Sequence, residues 1–452
     1  MPESTPSGPG PRGILDRLGL HTREIRAWAM YDWANSAFMT TIILVFPIYF
    51  VTVAAAELPS TKAEEIYAWA TALAMVFVAL LAPVLGAMAD RAGVKKQMLA
   101  GFMLFGVTTT ASLYFVDRGD WLLGTVLFVL ASIGINASFV FYESLLPHIT
   151  TEEDIDRVSS AGYALGYLGG GLILAINLLW ITYPQRFGFP DAGVATRVSF
   201  LSAALWWLLF SIPLFRRVPE PPHRIEAGPP AVGNPLRVAV ARLRQSVRDL
   251  RSYPQAFLLL VAFVLYNDGI QTVIKMATLY GTSLGISKGA LIGAVLITQF
   301  VGVPFSFLFG NLARRLGTKR SIFLALAVYV GITIFAYRMT TAAEFYVLAI
   351  AVAMVMGGTQ ALSRSLFATM IPRYKSAEFF GFYGVFDKFG GVLGPMLFAS
   401  VIRATGSSRP AILATSVFFV VGGAVLWFVN VDEGRRAARE AEALEAVATA
   451  AP

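Results

Sequence analysis

The chain contains no cysteine among its 452 residues. That absence removes disulfides, thiolate metal sites and thiol nucleophiles at once. Histidine is scarce: His21, His148 and His223 fall in separate predicted loops, too scattered for a metal site. Charge is thin as well. Asp, Glu, Lys and Arg make up 14% of the chain, where a soluble domain carries about 25%. No Walker A pattern is present, so this chain supplies no ATP drive, and no nucleophile–base set points to an enzyme. No cofactor and no metal are expected. The net charge of +8 is distributed in a way that argues against a nucleic-acid partner. Residues 1–20 are rich in Pro and Gly and lack an apolar core of signal-peptide type, so the first membrane helix is expected to serve as the targeting signal.

What is abundant is apolar sequence, at 56% of all residues. It comes in continuous stretches about 20 residues long, the length a helix needs to cross a bilayer. Helices rather than a barrel follow from that continuity. Apolar segments lie near 28–55, 66–89, 97–116, 121–146, 159–182, 195–215, 254–280, 289–311, 320–338, 343–368, 378–402 and 410–430. The expected fold class is an all-α membrane protein with twelve transmembrane helices in two six-helix pseudo-repeats. Residues 1–27 form an N-terminal tail, 28–215 one bundle, 216–253 a linker, 254–430 a second bundle and 431–452 a tail. Most of the 36 Lys and Arg fall in segments that share a side with the two termini. The positive-inside rule then places both termini in the cytoplasm, in an inner-membrane protein. In the linker, Asn234 and Pro235 suit a helix start, and Leu236, Val240, Leu243, Val247 and Leu250 repeat at helical spacing. An amphipathic helix lying on the anionic leaflet, or simply packing beneath the bundles, is expected there. The last residues are expected to be a solvated, partly helical end.

One pattern occurs twice, its residue numbers differing by 224. The first copy is Gly86-Ala-Met-Ala-Asp90-Arg91-Ala-Gly93-Val-Lys95-Lys96; the second is Gly310-Asn-Leu-Ala-Arg314-Arg315-Leu-Gly317-Thr-Lys319-Arg320. Each follows an apolar segment. Gly93 suits a tight turn, Gly86 permits close helix approach, and Lys95 and Lys96 hold the turn on the inner side. A parallel six-helix repeat of this kind is an architecture of carriers.

The first copy resembles the signature of the major facilitator superfamily between its second and third helices. Three further stretches narrow the resemblance: Trp28-Ala-Met-Tyr-Asp-Trp-Ala-Asn-Ser-Ala-Phe38, Gly357-Gly-Thr-Gln-Ala-Leu-Ser-Arg-Ser365 and Phe379-Phe-Gly-Phe-Tyr-Gly-Val-Phe-Asp-Lys388. They are similar to bacterial relatives of the autophagy-related vacuolar amino-acid effluxer family, over roughly residues 24–430. The resemblance implies the fold and transport, and with them amino-acid export. It also implies that Asp90, with Arg91, latches onto the N-terminus of the eleventh helix when the inner side is closed, where the helix dipole favours an acid. Arg314 stands at the matching place in the second copy, so the latch is expected in the first copy alone.

Charges inside a bilayer are costly and therefore informative. Asp32, Glu143, Asp268, Lys275, Arg364, Asp387 and Lys388 all fall within predicted spans. Asp268, Gln271 and Lys275 share one face of the seventh span and are expected to face a central cavity, or to be tied up in an ion pair with the tenth or eleventh span. Gln360 and Arg364 lie on the tenth span; Arg364 is suited to a carboxylate, whether of a substrate, Asp387 or Asp268. Asp387 and Lys388 are neighbours about 100° apart, so at most one is expected to face the cavity fully. Asp32 and Asn35 lie one turn apart in the first span, as site residues or as a shallow anchor. Gly162, Gly166, Gly169, Gly170 and Gly171 in the fifth span read as a close-packing face. The expected function is secondary transport of a small solute by alternating access, with protons as a possible coupling ion and the bilayer as the only other partner. An amino acid would place its ammonium on Asp268 and its carboxylate on Arg364 or Lys275. Efflux of amphipathic cations is the rival within transport; a receptor or assembly factor that does not transport is the rival outside it.

Overall fold

The computed structural model describes residues 13–222, 245, 248–391 and 393–450. Among these the chain is helical with no strand. Twelve helices are long and apolar enough to cross a membrane: α1 Arg23–Ala54, α2 Ser60–Ala92, α3 Lys95–Phe115, α4 Trp121–Ile149, α5 Ile155–Thr182, α6 Ala192–Arg217, α7 Pro254–Thr282, α8 Gly289–Leu316, α9 Thr318–Arg338, α10 Ala342–Ala368, α11 Arg373–Thr405 and α12 Ser408–Phe428. A further helix, α13, spans Val431–Ala450. Most of the expected linker helix lies outside the described residues; its end, residues 248–251, is helical.

Local chemistry sets the boundaries. Thr22 caps α1 by accepting the Ile25 N–H at 3.1 Å, and Asp191 caps α6 through the Val194 N–H at 2.9 Å. Thr341 and Glu344 form a reciprocal capping box at the start of α10,. The two glycines that close the repeated turns, Gly93 and Gly317, have φ of 64° and 88°, a region where side chains other than glycine's are strained. Lys96 shows how a short turn is held. Its N–H is bound at 3.0 Å by each carboxylate oxygen of Glu220, which serves the otherwise bare N-terminus of α3, and its ammonium donates to the Phe215 carbonyl at the end of α6 at 3.2 Å.

Both turns, both ends of the described chain and α13 share one side, termed here the basic face. On that side α2 meets α11 and α8 meets α5. The C-terminal end is helical and largely exposed, as expected, and it also touches the rest of the chain. Residues of α13 are tied to the body: Gln255 donates to Glu433 at 3.0 Å, the Arg373 N–H to Glu442 at 2.8 Å, and Arg439 forms an ion pair with Glu152.

The eleventh span is not continuous. It runs as helix over Ser376–Phe389 and again over Leu393–Thr405, with Gly391 at φ 99° between. A break inside a bilayer strands backbone amides, which need partners within the protein. Asp268 of α7 is that partner here.

Candidate functional site

A cavity of about 300 Å³ lies between the two sets of six helices. Its lining comes from α1, α2, α4 and α5 in the first set and α7, α8, α10 and α11 in the second. None of its described lining comes from α3, α6, α9 or α12. Phe139, Tyr163, Tyr167 and Tyr383 supply aromatic surface; Asn35, Asn136, Gln271, Gln299 and Gln360 supply carboxamides; Asp32, Glu143, Arg364, Asp387 and Lys388 supply charge.

Arg364 is the centre of this arrangement. It is 1% exposed, and its partner is Asp32 on α1, with a guanidinium nitrogen 3.5 Å from Oδ2. Neither Asp268 nor Asp387 pairs with it, contrary to expectation. The same guanidinium donates from Nε to Ser159 Oγ and from Nη2 to the Ser159 carbonyl, both at 2.9 Å. It lies 4.5 Å from the ring centroid of Tyr163 and 5.0 Å from that of Trp28. Asp32 takes a further hydrogen bond from the Tyr142 hydroxyl at 2.8 Å. A buried charge survives only when it is paired and its remaining hydrogen-bonding capacity is used, and this cluster meets both conditions. Asp32 is accordingly a buried member of the cavity wall and not a shallow anchor. The glycine face of α5 makes room for it: a methyl group on Gly162 would overlap Asp32 Oδ2 and lie 3.1 Å from the Arg364 Nη2.

The α7 stripe is corrected. Of Asp268, Gln271 and Lys275, only Gln271 lines the cavity. Asp268 is fully buried, and its Oδ1 accepts the N–H groups of Gly391 at 2.6 Å and Gly394 at 3.0 Å. Among the described residues it therefore lines no cavity and has no ion-pair partner; it caps the second segment of α11. Lys275 is exposed and sits beside the same break. Asp387 and Lys388, in contrast, both line the cavity and pair with each other at 3.0 Å. A lysine stem is long enough to bring its ammonium round to its neighbour's side, so a separation of about 100° does not keep the two apart. Asn136 and Gln299 escaped notice although each is a lone carboxamide within an apolar run, the signal that identified Gln271 and Gln360.

At the basic face the first motif copy forms a buried polar knot. Asp90 Oδ1 accepts the Ala377 N–H at 3.2 Å, and Oδ2 the Glu378 N–H at 2.8 Å. These amides open the first helical segment of α11, where the dipole favours an acid. The ion-pair partner of Asp90 is Lys95, at 2.7 Å and 4% exposed. Lys95 is thus more than an anchor for topology: its ammonium also donates to Ser376 Oγ at 2.8 Å and lies 3.1 Å from His148 Nε2. His148, expected in a loop, belongs to a short helical turn, Leu146–Ile149, at this knot. Gly86 packs its Cα against the Ala377 carbonyl, which a methyl group would strike. Arg91, expected beside Asp90 in the latch, is on the exposed side of the turn.

The chain is similar to known proteins in sequence and in fold. The model of a family described as "Vacuole effluxer Atg22 like" matches residues 60–439. YxiO of Bacillus subtilis (strain 168), an uncharacterized MFS-type transporter, is 36% identical over 411 residues, covering 90% of this chain and 95% of its own. Autophagy-related protein 22 of Coccidioides immitis is 26% identical over 440 residues, covering 80% and 72%. Among solved structures, the proton:xylose symporter XylE superposes with a TM-score of 0.64 at 17% identity, covering 92% of this chain and 96% of its own. The outward conformation of FucP does so with 0.64 at 13%, covering 91% and 99%. These two share the fold.

Proposed function

The chain belongs to the Atg22-like vacuole effluxer family of the major facilitator superfamily, and from that premise we propose that it moves a small zwitterionic solute, an amino acid, outward by alternating access. It is a multi-pass membrane transporter and not an enzyme. The observation that carries the solute class is a cavity of about 300 Å³ offering both signs of charge together with carboxamides. That volume suits a compact polar molecule. Glu143 offers a carboxylate to an ammonium group, Lys388 an ammonium to a carboxylate, and Asn35, on the cavity wall, a carboxamide between them. Arg364 is committed to Asp32 and Ser159 and acts on the substrate through that pair. Asp32 and Asp387 are the carboxylates that take up the coupling proton. Both termini and the basic face lie in the cytoplasm, so the knot around Asp90 closes the inner side.

A thermal-shift screen of the purified protein against amino acids, sugars, nucleosides and cationic dyes tests this reading. A ligand at 100 times its Kd adds about 2.7 kcal/mol to stability. Amino acids are expected to raise Tm, and Glu143→Gln or Lys388→Met to abolish the rise. Stabilisation by lipophilic cations alone would overturn the assignment in favour of drug efflux. For coupling, substrate-driven proton movement into proteoliposomes, followed with a pH dye, is expected to vanish in Asp387→Asn.

A further inference from the structure

The second motif copy has no acid at its own turn, yet a buried acid serves it from the other half. Asp156 opens α5. It is 9% exposed, and it has no ion-pair partner among the described residues. Its Oδ2 accepts the hydroxyl of Thr318, the residue after Gly317 in the second turn, at 2.6 Å. Its Oδ1 accepts the hydroxyl of Ser365 on α10. Beside it, Gly310 packs on α5 as Gly86 packs on α11: a methyl group there would lie 2.8 Å from Ser160 Cβ and 3.1 Å from Arg157 Cα.

We propose that Asp156 is the latch of a second seam, and that Arg364 and Ser365 connect this latch to the substrate cavity. Consecutive residues of α10 grip the first turn of α5, Arg364 through Ser159 and Ser365 through Asp156. Arg364 also faces the cavity beside Asp32. A ligand or proton that draws Asp32 away from Arg364 therefore pulls on the turn that Asp156 fastens. Opening at the basic face must break the bonds of Asp156 to Thr318 and Ser365, because they join helices from opposite halves. A hydroxyl bound to a carboxylate is a strong contact that leaves a buried acid exposed to loss when its partner goes. This inference rests on alternating access but not on the identity of the solute.

The natural absence of cysteine permits a direct test on the full chain. Ser160→Cys places a thiol in the second seam, and Ser211→Cys a control thiol buried near the basic-face end of α6, away from the seam. Labelling with a membrane-impermeant maleimide in inside-out vesicles reads seam opening without any substrate. Asp156→Ala, Thr318→Val and Ser365→Ala are each expected to speed labelling at 160 by about tenfold and to leave labelling at 211 unchanged. The double variant Asp156→Ala with Thr318→Val is expected to match Asp156→Ala alone. If Asp156→Ala does not accumulate, the two hydroxyl variants decide. Unchanged labelling at 160 in Thr318→Val and Ser365→Ala would overturn the latch. An equal rise at both thiols would overturn it too, since that reads as general loosening.

Discussion

The two copies of the repeated turn began with one pattern and now do different work. At position 95 the first copy turns its lysine into the seam, onto Asp90, Ser376 and His148. The matching Lys319 turns away and donates to the Trp427 and Val429 carbonyls at 2.8 Å each, at the end of α12, where a cation meets the negative pole of the helix. One place earlier, Val94 in the first copy has no hydrogen-bonding side chain, whereas Thr318 binds an acid. Acid and donor have changed places between the seams. In one, a carboxylate on the turn receives backbone amides from α11; in the other, a carboxylate on α5 receives a hydroxyl from the turn. What persists is the requirement for a fastened joint at each crossing, not the residue that supplies it.

That contrast can be broken most sharply at Asp90. Asp90→Ala leaves Lys95 buried and unpaired, a loss of about 3–5 kcal/mol borne by the closed state, so an Ala377→Cys reporter in the first seam should label far faster. Arg314→Ala, its counterpart, is exposed and should change the same rate little, by about 0.5 kcal/mol at most. Equal effects would mean that the copies are equivalent after all. Gly86→Ala comes next. Its methyl would strike a backbone carbonyl, with an overpacking cost of about 1–3 kcal/mol; Gly310→Ala meets mainly the Ser160 side chain and should label more slowly than Gly86→Ala. Lys319→Met should lower Tm with a cost of about 0.3–1 kcal/mol and leave both seam reporters as they were. The smallest effect is expected from Arg439→Ala. Its ion pair to Glu152 is exposed, and solvent-screened pairs of this kind contribute little, so seam labelling should hardly change.

The architecture was legible because its signals are additive along the chain. Twelve apolar runs, a repeat and a skewed distribution of basic residues each speak without reference to contacts. The place of Asp90 at the start of α11 was legible through resemblance. Its partner was not, because nothing in a run of Lys95 and Lys96 says which lysine folds inward. The cavity was half legible. Polar residues in apolar runs identified Asp32, Asn35, Gln271, Gln360, Arg364 and Asp387 as interior, and all of them line it. Asp268 obeyed the same rule and yet belongs elsewhere. An intramembrane acid satisfies either a ligand or a stranded backbone, and the break in α11 that strands those amides lies 123 residues away in sequence. Asp156 was not legible, because an acid at a helix start ordinarily reads as a solvated cap.

Sequence alone determined that this chain crosses the membrane twelve times, that its halves repeat, and which residues are too costly to face lipid. Those properties depend on transfer free energy, which is summed residue by residue. Only the tertiary structure decided which charges neutralise one another, which acid fastens which seam, and which polar side chains remain for a solute. Pairing depends on distances of a few ångströms between segments hundreds of residues apart, and two sequences with the same hydropathy can satisfy their buried charges in quite different ways.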